Sequence, residues 1–276
     1  MMRKRGVALL FALACAGHGA AVLAQAYPSR PPRLIVGFTP GGGVDINARV
    51  LASKLSELLP QQVIVENRPG AGTNIANEYV AKSAPDGYTL LFNSPAVVIN
   101  MSLYRNPPYD ALRDFTGVSV FSESTNILVV PATLPARSVK ELVALARERP
   151  GALNYSSAGA GSTQHLAAEL FKLRSGTSIV HVPYKGSAPS IAALLAGEVQ
   201  LSFINPVAVG PHLKSGRLRA LAAAVTKAAH SSDTRKRLLE QGAEAVGSTP
   251  EDFARQLREE VARWAEVVRI SGARAD

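Results

Sequence analysis

The chain has 276 residues, with 30 Lys and Arg against 21 Asp and Glu, a formal net charge of +9, 47% hydrophobic residues and one cysteine. That length bounds it to one large domain or two lobes of ordinary size. The basic excess is modest and no basic run is interleaved with aromatics, which argues against a nucleic-acid partner and leaves a mild preference for anions.

Arg3, Lys4 and Arg5 precede an apolar stretch from Gly6 to Ala24 that contains no acidic residue. Val22-Leu23-Ala24 and Ala24-Gln25-Ala26 end in the small residues that signal peptidase accepts. Gly6, Gly17, His18 and Gly19 dilute the stretch as a membrane span. The expectation is a signal peptide over residues 1–26, removed on export to the periplasm. Cys15 lies inside it, and Ala12 stands where a lipoprotein box has Leu, so a lipid anchor is not expected. The mature chain then has no cysteine, and with it no disulfide and no thiolate chemistry.

Short apolar runs then alternate with amphipathic stretches. Strands are expected at 33–38, 63–67 and 89–92. A helix carrying Val50, Leu51, Leu55, Leu58 and Leu59 on one face lies between the first two. A second helix runs from the loop Arg68-Pro69-Gly70-Ala71-Gly72 to Lys82. Such βα units imply a parallel sheet covered by helices. Residues 100–114, with Pro107 and Pro108 and little periodicity, read as the crossing to a second lobe. Strands follow at 117–121 and 127–130, then a helix opened by the capping box Ser138 to Glu141 and stopped at Pro150-Gly151. Further strands are expected at 154–156, 179–182, 199–204 and 218–225. Helices lie between them, one carrying Leu166, Leu170 and Leu173, others at 187–196 and 206–214. Thr249 and Pro250 open a C-terminal helix whose buried face is Phe253, Leu257, Val261, Trp264 and Val268. The division expected is one lobe of 27–115 with 226–276 and a second of 116–225.

Three turns share one device, a strand ending in small residues with a helix beginning at once. They are Thr39-Pro40-Gly41-Gly42-Gly43-Val44-Asp45, residues 157–163, and Tyr184-Lys185-Gly186-Ser187. First-turn N–H groups have no intrahelical partner and the dipole there is positive, so two such turns facing each other suit the ends of a dicarboxylate. Any one βα loop uses Gly and Ser for turning alone; three together favour a site. Asp45 reads as a ligand contact or, more favoured, as a cap of its helix start. His165, in a first helical turn, either donates to a ligand or is fixed by local bonds.

Other chemistries fail on spacing. Gly159-Ala160-Gly161-Ser162-Thr163-Gln164 lacks the third glycine of a dinucleotide loop, and no Walker lysine pattern exists. Tyr155 stands two before Ser157 where a nucleophile elbow needs Gly. His165, His181, His212 and His230 have no metal-ligand spacing. No catalytic residue, cofactor or metal is therefore expected.

At these residues the chain resembles the Bug (TctC-like) family, the extracytoplasmic binding proteins of tripartite tricarboxylate transporters. The matching stretches are residues 37–45, 65–72, 84–91, 155–159, 161–166, 182–186, 241–244 and 247–251. The resemblance implies a two-lobed periplasmic binding protein of type II-like, Venus-flytrap form, each lobe a mainly parallel sheet flanked by helices. It implies a monomer that holds a small carboxylate by main-chain donors and bridging waters and delivers it to membrane subunits. Carried onto this sequence, the site residues are Phe38, Gly42, Gly43, Asp45, Thr73, Ser94, Ser157, Ala158, Gly161, Ser162, Thr163, His165 and Tyr184. Two departures stand out. The family usually has Asp where this chain has Ile204, which argues against a ligand ammonium group and leaves Asn205 as the polar candidate. After residue 230 the family pattern resumes only farther downstream, so several dozen residues read as an internal deletion. Two alternatives stay open: a degraded, non-binding paralogue, and a hydrolase on a doubly wound sheet, for which no nucleophile and base are found.

Overall fold

Leu34, Ile35 and Val36 are wholly or almost wholly buried, the pattern of a strand covered on both faces. In this computed structural model, which describes residues 27–221, 244–245 and 250–275, they form β1 (Arg33–Val36) at the centre of a three-stranded sheet. β2 (Ile64–Asn67) and β3 (Thr89–Phe92) pair with it in parallel on either side, in the order β2-β1-β3. The helices that return the chain are α1 (Gly43–Leu58) and α2 (Asn74–Ala81), and α3 (Ala96–Leu103) follows β3. Among the described residues no strand pairs with the outer side of β3.

The second sheet has the order β7-β6-β8-β5-β9. Its strands are β5 (Ile127–Pro131), β6 (Asn154–Ser157), β7 (Val180–Pro183), β8 (Leu201–Ile204) and β9 (Leu218–Ala220). β6 runs parallel to β7 and β8, whereas β5 is antiparallel to β8 and β9. α4 (Val139–Glu148), α5 (Thr163–Ser175), α6 (Ser187–Ala196) and α7 (Pro206–Lys214) connect them. Side chains alternate across this sheet: Phe203 packs toward Leu128 and Tyr155 on one face, Ile204 toward Val129 and Leu194 on the other. The protein is thus a two-lobed α/β molecule. A short antiparallel pair, β4 (Ser122–Glu123) with β10 (Glu244–Ala245), joins chain segments far apart in sequence.

α8 (Pro250–Ser271) packs on both lobes. Val268 and Ala273, just beyond its end, share a buried cluster with Ile99 and Leu103 of α3 and Leu166 of α5. Of the face read from the sequence, Val268 is buried and Phe253, Leu257, Val261 and Trp264 are half-buried. The Ser138 box is present as well: the Ser138 hydroxyl accepts from Glu141 N at 3.2 Å, and the Glu141 carboxylate accepts from Arg137 N at 2.7 Å. Such a cap is worth about 1 kcal/mol.

Two elements differ from the sequence reading. Residues 100–114 begin inside α3, whose Val98, Ile99, Asn100 and Leu103 are all buried. A helix buried over most of its circumference, with only Ser102 exposed, shows little amphipathic period. The strand expected at 117–121 is absent. Val118 is 63% exposed, and only Ser122 and Glu123 find a ladder partner. The leader, the junction near residue 230, the end of the strand expected at 218–225, and Thr249 lie outside the described residues.

Candidate binding cleft between the lobes

The turn after β1 is built around Asp45. Its buried carboxylate accepts from Gly41 N at 2.9 Å, from Arg49 Nε and Nη2 at 3.0 Å each, and from Asn67 Nδ2 at 2.9 Å. Burial alone would push its carboxyl up; the bonds from Arg49, Gly41 and Asn67 outweigh that and hold it below the usual carboxylate value. Asn67 also donates to the Phe38 carbonyl at 2.9 Å, while the Phe38 side chain lies in the core with Leu34 and Val36. Asp45 and Phe38 therefore shape the turn from within their own lobe.

What the turn presents outward is main chain. Gly42 precedes α1 with no side-chain cap, and Gly186 precedes α6 in the same way. The two helix starts meet across the lobes: a Cβ on Gly42 would stand 3.4 Å from Ser187 Cβ, and Thr39 N donates to the Lys185 carbonyl at 3.2 Å. Thr39 fills the space a Cβ on Gly186 would need. Gly43 faces Asn205, whose Cγ would lie 3.0 Å from a Cβ there. Asn205 in turn caps α7 by accepting from Val207 N at 2.9 Å and donates to the Ser124 hydroxyl.

Beside this seam lies a cavity of about 230 Å³. One lobe lines it with Gly37, residues 70–73 and Tyr104, the other with residues 158–160 and 183–185. The loop at 70–73 turns through positive φ at every position, including Ala71 (φ 45) and Thr73 (φ 84). Left-handed backbone at a β-branched residue costs roughly 1–3 kcal/mol and persists only where surroundings fix it. A buried amide network does so here. Thr73 Oγ1 accepts from Asn77 Nδ2 at 3.2 Å and Asn93 Nδ2 at 3.1 Å, and Asn100 Nδ2 donates to the Gly72 carbonyl at 2.6 Å.

On the second lobe most of the polar residues chosen from the sequence are engaged locally. The buried Ser157 hydroxyl bonds His181 Nε2 at 2.7 Å. Ser162 caps α5, accepting from His165 N at 3.2 Å and donating to the Gly159 carbonyl at 2.7 Å. Thr163 Oγ1 accepts from Asn126 Nδ2 at 3.0 Å. His165 Nδ1 accepts from Gly161 N at 3.3 Å, which assigns the ring proton to Nε2. The Ser94 hydroxyl accepts from Ala96 N at 3.3 Å, ahead of the Pro95 N-cap of α3, and does not line the cavity. Ala158 and Tyr184 do line it, and Ala158 packs into the first lobe's cluster. Gly161 (φ 81) leaves no room for a Cβ against Asn100 Oδ1 of the other lobe.

Behind this wall Tyr155, His181 and His165 stack, with centroid separations of 4.7 and 4.3 Å. Burial pushes His181 down to about 3, with His165 and Lys172 adding to the fall, and burial also lowers His165. Among the described residues no carboxylate hydrogen-bonds His181. Ser157 is wholly buried, so the pair offers no accessible nucleophile. Four buried polar atoms without a protein partner among the described residues lie around the seam: Thr39 Oγ1, Asn47 Oδ1, Asn100 Oδ1 and Gln164 Oε1.

Gly70, Gly72 and Tyr104 are not among the site residues read from the sequence, and Lys185 is named only within the turn 184–187. The glycines after β2 repeat the strand–turn–helix device and were a usable signal; Tyr104 had none. Ile204 does not face a ligand as the sequence suggested: its side chain is wholly buried in the core of the second lobe. Its identity therefore says nothing direct about a ligand ammonium group.

Two α/β lobes that bring uncapped helix starts together, with a cavity walled by both lobes, define a solute-binding protein. The chain belongs to the tripartite tricarboxylate transporter receptor (TctC) family, whose model matches residues 47–227. Protein BugT of Bordetella pertussis is 35% identical over 95% of each chain. A Rhodopseudomonas palustris protein solved with adipate superposes with a TM-score of 0.84 at 35% identity, covering 90% of this chain and 99% of that one. MatC of the same species, solved with bound malate, gives 0.80 at 25% identity, over 88% and 100%. The BugT alignment is 311 positions long, more than the 276 residues present here, so BugT carries chain that this protein lacks. The chain also spans less than two thirds of the length of two other curated relatives.

Proposed function

We propose that the protein is exported and captures a small dicarboxylate between its lobes for the membrane subunits of a tripartite tricarboxylate-type transporter. The observation that carries this reading is the meeting of Gly42 and Ser187, two uncapped helix starts from opposite lobes, the second of which follows Lys185 of the cavity wall by two residues. Their N–H groups and dipoles favour anions, and Lys185 is the one charged residue in the cavity wall. A volume of about 230 Å³ lies below the roughly 300–1,000 Å³ of drug-sized sites and fits a small metabolite. The solved neighbours that hold adipate and malate support the same ligand class.

Residues 1–26 serve as the cleaved leader in this reading. The lobes are 27–115 with 226–276 and 116–225, the mature protein is a periplasmic monomer, and no bond is made or broken in the ligand. Among the described residues no helix is long and apolar enough to cross a membrane. The chain that BugT carries and this protein lacks favours a second reading, a paralogue that does not bind. Thermal melts with C4 to C6 dicarboxylates separate the two. A ligand at a hundred times its dissociation constant stabilises by about 2.7 kcal/mol, a rise of roughly 5–10 °C for a protein of this size. No shift with any diacid at millimolar concentration favours the non-binding paralogue.

A further inference from the structure

We infer that Tyr104 is a specificity-determining residue of the cleft, whose phenol donates a hydrogen bond to the second carboxylate of the ligand. The inference rests on the carboxylate-binding reading and adds a residue that neither the sequence nor the family match singles out.

Three hydroxyl-bearing residues line the cavity: Thr73, Tyr104 and Tyr184. Thr73 Oγ1 already accepts from two amides, and the Tyr184 hydroxyl is directed to Glu198 at 3.4 Å. The Tyr104 hydroxyl has no partner among the described residues. Its position is fixed from behind. Tyr104 ends α3, its N–H bonded to the Asn100 carbonyl at 3.1 Å, so the two side chains lie one turn apart on one face. Asn100 is wholly buried and donates to the Gly72 carbonyl at 2.6 Å and to Asn74 Oδ1 at 2.8 Å. A carbonyl can only be met by the amide nitrogen, so the Asn100 orientation is settled by its partner. The phenol then lies 2.7 Å from where a Cβ on Gly72 would be, among the residues that line the cavity. Burial raises the Tyr104 pKa, which keeps the group a donor at neutral pH.

A phenol placed there distinguishes a ligand with an acceptor at its far end from one without. The test compares adipate with hexanoate, which has the same carbon chain and one carboxylate, on the wild-type protein and on Tyr104→Phe. Adipate affinity is read by calorimetry and hexanoate by competition. Phe keeps the ring, so the melting temperature should hold. The expected result is about tenfold weaker adipate binding, the size of one hydrogen bond to a charged group, with hexanoate changed less than about twofold. Equal adipate affinities in the two proteins overturn the role of Tyr104 and leave the cleft reading standing. Equal losses for adipate and hexanoate also overturn it, because the phenol then does not read the second carboxylate. If the wild-type protein binds neither adipate nor malate, the cleft reading fails and this inference fails with it.

Discussion

The main-chain carbonyl of Ala160 occupies the space where a Cβ on Gly72 would stand, with Gly72 held at φ 60 on the opposite lobe. The two loops that wall the cavity are therefore in direct contact, and glycine at 72 is what lets them close. Any side chain there becomes a wedge between the lobes. Gly72→Ala should lose about 1–2 kcal/mol of stability from the left-handed backbone alone, and should abolish adipate and malate binding. Gly151→Ala is the matched control, because Gly151 also has positive φ (76) but nothing within 4 Å of its missing Cβ. The control should show a similar fall in melting temperature with ligand affinity unchanged. Loss of binding in both variants would mean that backbone strain, not lobe contact, is responsible.

Asp45 should act on stability and on its pH dependence. Its folded pKa is depressed below the ordinary 3.8. Such a group contributes stability that is present above the unfolded value and is lost as pH falls through the lower folded value. Asp45→Ala should cost about 1–3 kcal/mol at pH 7, the worth of a buried carboxylate accepting several bonds. The gap to the wild-type protein should narrow below about pH 4. Urea melts at neutral and acid pH read both numbers; a gap that stays constant with pH contradicts the assignment.

His181 should make the protein acid-sensitive in a higher window. Its folded pKa is depressed to about 3 from 6.5, so the unfolded chain takes up a proton first as pH falls. The neutral ring contributes stability that is fully present above about pH 6.5 and is lost progressively below it. Between about pH 6.5 and about pH 4.5 the loss should be on the order of 2–3 kcal/mol. His181→Phe keeps the stack with Tyr155 and His165 and removes the titration, so its stability should be flatter over that range. An unchanged slope would assign the sensitivity to other groups.

Much of this molecule is legible in its sequence where one residue type has one use. The buried run Leu34-Ile35-Val36 gives β1, and glycines before α1 and α6 mark the helix starts that meet across the lobes. Side-chain roles were less legible. Ser157, Ser162, Thr163 and Asp45 sit at turns where a polar group serves a ligand or a local cap with the same chemistry, and His181, His165, Asn126 and Arg49 engage them locally. Tyr104 gave no signal because it enters the cavity only through the placement of α3 against the loop at 70–73. Residues 117–121 have strand-like composition, but a strand also needs a partner, and β10 offers one only to Ser122 and Glu123.

The most direct test of the central claim is a calorimetric titration of the mature protein with adipate, malate and their monomethyl esters. A ligand with one end at the paired helix starts and the other at the Tyr104 phenol requires two charged carboxylates. Saturable one-to-one binding of at least one diacid is expected, with its monoester weaker by about tenfold or more, since each carboxylate meets charge-favouring donors. Binding of the monoester as tightly as the diacid, or no heat from any of the four compounds, contradicts it.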